Sequence, residues 1–153
     1  MEHELFIRRV FDAPRELVWQ AWTDPVHIRQ WWGPRELSCP ACELDFRVGG
    51  VFSLHMRGPD GATYPCKGVY REIVAPERIV YAGEAVDGHA CGGGLPPRSL
   101  VTVRFVEHAG KTTLTLHTRF ESAASLDAAV NAGYSTSWAV TLERLADALA
   151  NKP

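Results

Sequence analysis

Trp31-Trp32-Gly33-Pro34 and, a little further along, Asp45-Phe46-Arg47-Val48-Gly49-Gly50 carry the strongest structural information in this sequence of 153 residues. Each tryptophan has one of the largest apolar side-chain surfaces, so the pair must pack against a core, a partner or a ligand. The Gly-Pro after them ends a helix. The Gly-Gly pair permits a sharp bend and begins a run that alternates as a strand does. A helix end, a bend and a curved sheet are therefore expected close together.

Composition and charge are those of one globular domain, expected to span residues 1–153. Hydrophobic residues make up 46% of the chain and charged residues 22%. The net charge of -2 and the lack of a dense basic run argue against a nucleic acid partner. The N-terminus does not read as a signal peptide, and no apolar run reaches membrane-spanning length. A cytoplasmic protein without membrane insertion is expected.

The residues before the double tryptophan predict one strand and two short helices. Residues 4–12 are rich in β-branched and aromatic types, which favours a strand. Pro14 suits a first helical turn, with Asp12 as its expected cap. Asp24 and Pro25 begin a second helix, which ends at the tryptophans. The apolar residues of the first helix recur at three-and-four spacing and indicate a buried face: Leu17, Val18, Ala21 and Trp22.

Residues 36–120 alternate with period two between turn sequences, which predicts a meander of antiparallel hairpins. One face of the third and fourth strands is expected to carry Phe52, Leu54, Met56, Tyr64, Cys66, Gly68 and Tyr70. In the last hairpin, Val101, Val103 and Phe105 are expected to face Leu114 and Leu116.

A long helix is predicted after Ser122 and Ser125, running nearly to the C-terminus. About 28 helical residues would span roughly 40 Å, enough to cross the whole sheet. One stripe is expected to face that sheet: Leu126, Val130, Tyr134, Trp138, Leu142, Leu145 and Leu149. The predicted fold class is therefore α+β: a curved antiparallel sheet of about six or seven strands wrapped around a C-terminal helix, with two short helices after strand 1.

With these elements placed, the chain resembles the START-like (SRPBCC, helix-grip) superfamily. Within it, the chain is similar to the group related to the C-terminal domain of the activator of the 90-kDa heat-shock-protein ATPase. The resemblance implies a helix-grip fold with a ligand cavity between the sheet and the C-terminal helix. It rests on Ala13-Pro14, Leu17-Val18-Trp19, Trp22-Thr23-Asp24-Pro25, Trp31-Trp32-Gly33-Pro34, Asp45, Arg47-Val48-Gly49-Gly50, Pro59-Asp60-Gly61, Gly68, Glu72-Ile73, Pro76-Glu77-Arg78-Ile79-Val80-Tyr81, Trp138, Leu142 and Leu145.

Large apolar and aromatic residues are the candidates for a cavity wall as a set, although any one of them taken singly is better explained as filling the core. Glu72 joins them because a carboxylate within a strand lies either on the wet face or inward against a ligand. The predicted ligand-binding residues are Trp31, Trp32, Phe52, Met56, Tyr64, Tyr70, Glu72, Tyr81, Phe105, Tyr134 and Trp138. The polar candidates His55, Asp45, Arg47, Glu72 and Arg104 contain no pair with the spacing of a nucleophile and its base, so no catalytic residue is assigned.

Three functions fit this reading. The leading one is a binding protein for a hydrophobic or amphipathic small molecule. The second is a co-chaperone-like interaction domain that stimulates a chaperone ATPase, with the chaperone as partner. The third is an enzyme of the polyketide cyclase or aromatase type, which is less favoured because no diagnostic residue is present. A monomer or a homodimer is compatible with all three.

Cys39-Pro40-Ala41-Cys42 has the spacing of a redox or metal motif, but it precedes a strand of the meander. The remaining candidates Cys66, His89 and Cys91 are not at paired-ligand spacing. The absence of a signal peptide favours reduced thiols. Free structural cysteines are expected, with no metal and no other cofactor.

We therefore predict that the purified protein carries no stoichiometric zinc. Metal analysis by mass spectrometry on protein prepared without chelators measures this directly. One equivalent of zinc per chain would contradict the prediction and would make the Cys-x-x-Cys motif a metal site.

Overall fold

Seven antiparallel strands form one open, curved sheet in the computed structural model, which describes residues 3–32, 38–61, 63–83, 99–131 and 134–150. The strands are β1 Glu4–Phe11, β2 Ser38–Leu44, β3 Val51–Arg57, β4 Thr63–Val74, β5 Arg78–Gly83, β6 Leu100–His108 and β7 Lys111–Arg119. The helices are α1 Arg15–Thr23, α2 Pro25–Trp31, α3 Ala123–Asn131 and α4 Tyr134–Ala150. Within these residues no helix is both long and apolar enough to cross a membrane.

The spatial order of the strands is β1-β7-β6-β5-β4-β3-β2, so consecutive strands are neighbours except where β1 pairs with β7. This arrangement confirms the predicted α+β helix-grip fold and its meander. Strands β1 and β2 are the two edges of the sheet. Helix α4 packs against α1, α2 and β1.

The predicted hairpin registers are confirmed. Phe52 lies opposite Gly68, and Val103 lies opposite Leu116. A Cβ atom at Gly68 would overlap the ring of Phe52, so the glycine leaves the space that this buried ring occupies. The alternation of apolar and polar residues thus specifies the register, because a slip by one residue would turn the apolar face to water.

The start of α1 differs from the prediction. Pro14 is the N-cap residue and makes no side-chain cap hydrogen bond, so the expected cap at Asp12 is wrong. Pro14 is extended, with ψ at 155°, and the helix begins only after it. The free N–H of Arg15 donates instead to Oε1 of Glu107 on β6, at 3.0 Å. A carboxylate distant in sequence therefore stabilises this helix end.

Helix α2 forms as predicted. Asp24 is its N-cap and accepts a hydrogen bond from the Val26 N–H at 2.9 Å, and Pro25 occupies the first turn. Trp31 is the last helical residue and Trp32 the C-cap. Both tryptophans are buried.

The C-terminal helical region is described as α3 and α4, and residues 132 and 133 between them lie outside the described residues. The part of the predicted stripe on α4 is buried at Trp138, Leu142, Leu145 and Leu149. Val130 on α3 is 47% exposed, which corrects its predicted place in the stripe. Helix α3 packs mainly against α4 rather than the sheet, so this face of α3 is not covered.

The Gly49-Gly50 bend lies in the connection between β2 and β3. Gly49 has a φ of +84°, a conformation that glycine adopts without strain. The Gly49 N–H donates to the Tyr70 carbonyl at 2.7 Å, and the Tyr70 N–H donates to the Gly50 carbonyl at 2.9 Å. These two backbone hydrogen bonds therefore hold the bend against β4. Arg47 and Asp45 form an exposed ion pair beside it.

We predict that Gly50→Ala destabilises the protein more than Gly61→Ala. A Cβ at Gly50 would overlap the Asp45 backbone carbonyl, which cannot rotate away as a side chain can. Gly61 lies in a turn with a φ of +84°, and the space that its Cβ would enter is open. Its substitution should cost about 1 to 2 kcal/mol, the strain of a left-handed residue. Urea unfolding of both variants measures the difference, and equal losses would show that the close approach at Gly50 relaxes freely.

Candidate functional site

Four buried tryptophans pack together on the concave side of the sheet, and we call them the tryptophan cluster: Trp22, Trp31, Trp32 and Trp138. The Trp22 and Trp138 rings are stacked, with centroids 6.0 Å apart and an interplanar angle of 9°. Trp32 meets Trp138 edge to face at 5.4 Å. Trp31 lies 4.9 Å from Trp22. The cluster thus joins α1, α2 and α4 in one contact.

The indole N–H groups of the cluster are not equally satisfied. Trp31 Nε1 donates to the Ala21 carbonyl at 3.0 Å. Trp22 Nε1 and Trp138 Nε1 are buried and have no hydrogen-bond acceptor among the residues that the structure describes. A buried donor left without an acceptor costs about 1–3 kcal/mol, so these two groups would gain from any acceptor brought to them.

A small apolar cavity borders the cluster, between α1 and α2 on one side and strands β2 to β5 on the other. Its volume is about 20 Å³, which holds a single water molecule. None of the described residues that line it carries a charge. The lining residues are Trp22, Ile28, Trp32, Leu44, Phe52, Leu54, Tyr70, Ile79 and Tyr81.

The structure brings together part of the predicted ligand-binding set. Four of its members border the cavity: Trp32, Phe52, Tyr70 and Tyr81. Three others lie in the surrounding core without lining the cavity: Trp31, Phe105 and Trp138. The side chains of Met56, Tyr64 and Tyr134 lie outside the described residues. Among the described residues, the helical side of this cavity is formed by α1, α2 and its C-cap residue Trp32, and the predicted cavity against the C-terminal helix stays a prediction.

Sequence reasoning missed five lining residues: Trp22, Ile28, Leu44, Leu54 and Ile79. The apolar spacing of α1 correctly places Trp22 on the buried face of that helix. This placement is the sequence signal that could have identified Trp22 as a lining residue. The others are ordinary aliphatic residues whose pattern indicates burial but cannot tell a cavity wall from a filled core.

Glu72 does not lie with the aromatic residues. Its side chain is 49% exposed and accepts a hydrogen bond from Arg78 Nε at 2.5 Å. The β4–β5 register shifts between Tyr70 and Glu72, so a bulge reverses the alternation at this point. Strict period two would have kept Glu72 on the face of Tyr70, and the bulge turns it outward.

Tyr70 is buried between aromatic neighbours. Its ring meets Phe46 edge to face at 5.1 Å and lies 5.0 Å from Phe52. Burial raises the pKa of the Tyr70 hydroxyl well above its usual value, with a smaller contribution from the Cys42 thiol. The hydroxyl is therefore neutral at physiological pH and can only act as a neutral hydrogen-bonding group.

Arg144 on α4 holds the double tryptophan in place. Its guanidinium donates to the Trp32 carbonyl and to the Gln30 carbonyl, each at 3.3 Å. These carbonyls lie at the C-terminal end of α2, where a positive charge is favourable. The sequence offered no local sign of this contact, because the partners lie more than a hundred residues apart in the chain.

The other polar candidates do not form a chemical site. His55 and Arg104 are exposed, and Asp45 pairs with Arg47 beside the bend. Within the described segments, no group of three or more His, Cys, Asp or Glu residues could hold a metal ion. Cys42 is half-buried and forms no disulfide with a described residue, while the side chains of Cys39, Cys66 and Cys91 lie outside the described residues. The zinc expectation therefore stays a prediction.

Solved structures of the same fold were found in several bacteria. A protein from Nitrosomonas europaea has a TM-score of 0.86 at 23% identity, covering 97% of this chain and 95% of its own. A protein from Chromobacterium violaceum has a TM-score of 0.80 at 26% identity, covering 99% and 100%. The AHSA1-like protein from Aeromonas hydrophila has a TM-score of 0.73 at 23% identity, covering 96% and 92%.

No curated protein matches the sequence significantly. A family model does match: the one described as Activator of Hsp90 ATPase homolog 1-like protein aligns with residues 12–150. This range includes both short helices, strands β2 to β7 and nearly all of α4. The chain therefore belongs to the Activator of Hsp90 ATPase homolog 1-like family, as a START-like relative of the Hsp90 ATPase activator.

Proposed function

We propose that the protein binds a neutral, amphipathic small molecule in the interior space between the sheet and its helices. The observation that carries this proposal is the uncharged cavity bordered by Trp22, whose buried indole N–H has no acceptor within the described residues. Family membership supports a ligand-binding or cyclase-like domain in general terms. The class of ligand follows from the chemistry of the wall.

The wall selects against charge. Every described side chain in the wall is aliphatic or aromatic, and the Tyr70 hydroxyl stays protonated because it is buried. An ionised ligand would lose its hydration and gain no counter-charge, a cost of several kcal/mol. A neutral molecule with an apolar body loses little on entering.

The wall favours a hydrogen-bond acceptor. The indole N–H of Trp22 is a donor only, so its partner must be a carbonyl, ether or hydroxyl oxygen. One net hydrogen bond contributes about 1 kcal/mol and would relieve a donor that is otherwise unsatisfied. The ligand class is therefore an apolar ring or chain that bears one neutral oxygen.

The cavity must widen to admit such a molecule, because about 20 Å³ is far below the volume of any organic ligand. Strand β2 is an edge strand, bonded to the sheet only through β3. Movement of the β2–β3 pair away from Trp22 and Trp32 strains one strand interface, the one with β4, whereas a central strand is bonded on both sides. We therefore place the opening at this end of the sheet.

Three matched naphthalene compounds test the ligand class. We expect 2-acetylnaphthalene to bind about tenfold more tightly than 2-ethylnaphthalene, because only the ketone supplies an acceptor. We expect 2-naphthoate to bind more weakly than both, because its carboxylate would be buried without a counter-charge. Calorimetry measures the affinities, and the tryptophan indole N–H signals in ¹H–¹⁵N NMR spectra report the acceptor.

Trp22→Phe should remove the advantage of the ketone and keep an aromatic ring in place. Trp19→Phe is the matched control, since Trp19 is half-buried against Phe105 at 5.3 Å but does not line the cavity. Equal affinity for the ketone and the hydrocarbon in the wild-type protein would refute the role of Trp22. Absence of binding by all three compounds would count against an interior site for molecules of this class.

Tyr70 predicts a pH dependence of stability. The tyrosine pKa is about 10 in an unfolded chain, and burial raises it in the folded protein. Above about pH 10 the unfolded chain loses this proton while the folded chain keeps it, so the free energy of unfolding falls as the pH rises. Tyr70→Phe should flatten this fall. Urea unfolding of both proteins at about pH 8.5 and about pH 11 measures it, and identical losses would contradict a buried neutral Tyr70.

A further inference from the structure

A second, larger cleft lies outside the aromatic interior, where β5 begins beside β6 and the N-terminal end of α1. Its volume is about 280 Å³. Three of its residues are arginines and two are glutamates. The lining residues are Arg15, Glu77, Arg78, Arg104, Phe105, Val106 and Glu107.

The sheet register builds this cleft. Arg78 and Arg104 are directly opposite each other on β5 and β6. The Phe105 N–H donates to the Glu77 carbonyl at 2.9 Å, which fixes the start of β5 against β6. Two guanidinium groups are thus placed on neighbouring strands, an arrangement that is unfavourable unless anions compensate it.

Compensation within the protein is incomplete. Glu72 pairs with Arg78 at 2.5 Å, and Glu107 accepts the Arg15 backbone N–H at 3.0 Å. Arg104 makes no hydrogen bond or ion pair with any residue in the described part of the chain. Arg15 Nε is buried and likewise has no acceptor among those residues. Two of the three guanidinium groups therefore have donor capacity to spare.

We propose that this cleft binds a small organic anion, with its carboxylate or phosphate group held by Arg104 and Arg15. A guanidinium presents planar paired donors that match the oxygens of either group, and it has no acceptor of its own. The exposed carboxylate of Glu77 limits the positive charge of the cleft, which favours one anionic group on a neutral, hydroxylated body. A hydroxyl on that body can donate to Glu77.

This site is separate from the interior cavity in place and in chemistry. Phe105 lines the cleft and packs its ring into the core, but none of the residues that line the interior cavity also line this cleft. The interior selects neutral molecules, whereas the cleft selects anions. Failure of one proposal therefore leaves the other unaffected.

Three compounds with the same three-carbon body test the cleft: glycerol, glycerate and glycerol 3-phosphate. We expect both anions to bind at millimolar concentration or below and glycerol not to bind, as measured by calorimetry and by shifts of the arginine Nε–H signals in NMR spectra. The stronger of the two anions identifies the preferred group. Binding should weaken as salt is added, because the contacts are charged and partly exposed.

Arg104→Gln should weaken anion binding by about tenfold, because it removes a charge-assisted hydrogen bond. Arg8→Gln is the matched control. Arg8 is exposed on β1, and Thr115 on β7 lies opposite both Arg8 and Arg104. Arg8 does not line the cleft. This control should bind both anions as the wild-type protein does. Because Arg104 is exposed, its substitution leaves the core intact, and circular dichroism checks this.

Arg15→Lys keeps the positive charge and loses the planar Nε–H donor, so it should also weaken binding. Absence of binding by both anions, equal binding of glycerol, or an equal loss in the Arg8 and Arg104 variants would each overturn the proposal. The last result would show that the whole basic face attracts anions without a defined site.

Discussion

The tryptophan cluster is the contact that fastens the helices to the sheet. Trp22, Trp31, Trp32 and Trp138 come from α1, α2, its C-cap and α4, and all four are at most 4% exposed. Apolar burial contributes about 25 cal/mol per Å², and indoles are among the largest apolar groups a chain can bury. Arg144 completes the contact by bonding the last carbonyls of α2. The direction of α4 across the concave face follows from these contacts.

The same cluster also limits the interior. A set of large aromatic residues in a sheet wrapped around a helix suggests a roomy cavity, but the described rings around Trp22 pack closely. The cavity beside Trp22 has a volume of about 20 Å³. The proposed ligand must therefore open a site rather than enter a preformed one. The unpartnered indole N–H of Trp22 and the neutral Tyr70 define what such a ligand must offer.

Local patterns predicted most of the fold, and the exceptions share a cause. Asp24 and Pro25 begin α2 as expected, and the alternating residues of β3, β4, β6 and β7 pair in the expected register. Asp12 is not a cap because α1 begins only after Pro14, and Glu107, distant in sequence, accepts the N–H of Arg15 instead. Val130 is exposed because the sheet does not cover α3. Each exception depends on where another element lies, and periodicity carries no information about that.

The features of the candidate sites also divide into those that local sequence patterns predict and those that depend on the packed fold. Apolar spacing was enough to identify the antiparallel sheet, the two short helices and the buried aromatic residues, because burial of one face dictates that spacing. The tertiary structure alone decided which buried residues border space: a bulge at Tyr70 turns Glu72 outward, and α1 and α2 contribute the helical residues described in the cavity wall. It also brought Arg15 and Arg104 into the lining of one cleft, since the meeting of a helix end with a distant strand depends on the packed fold and not on local sequence.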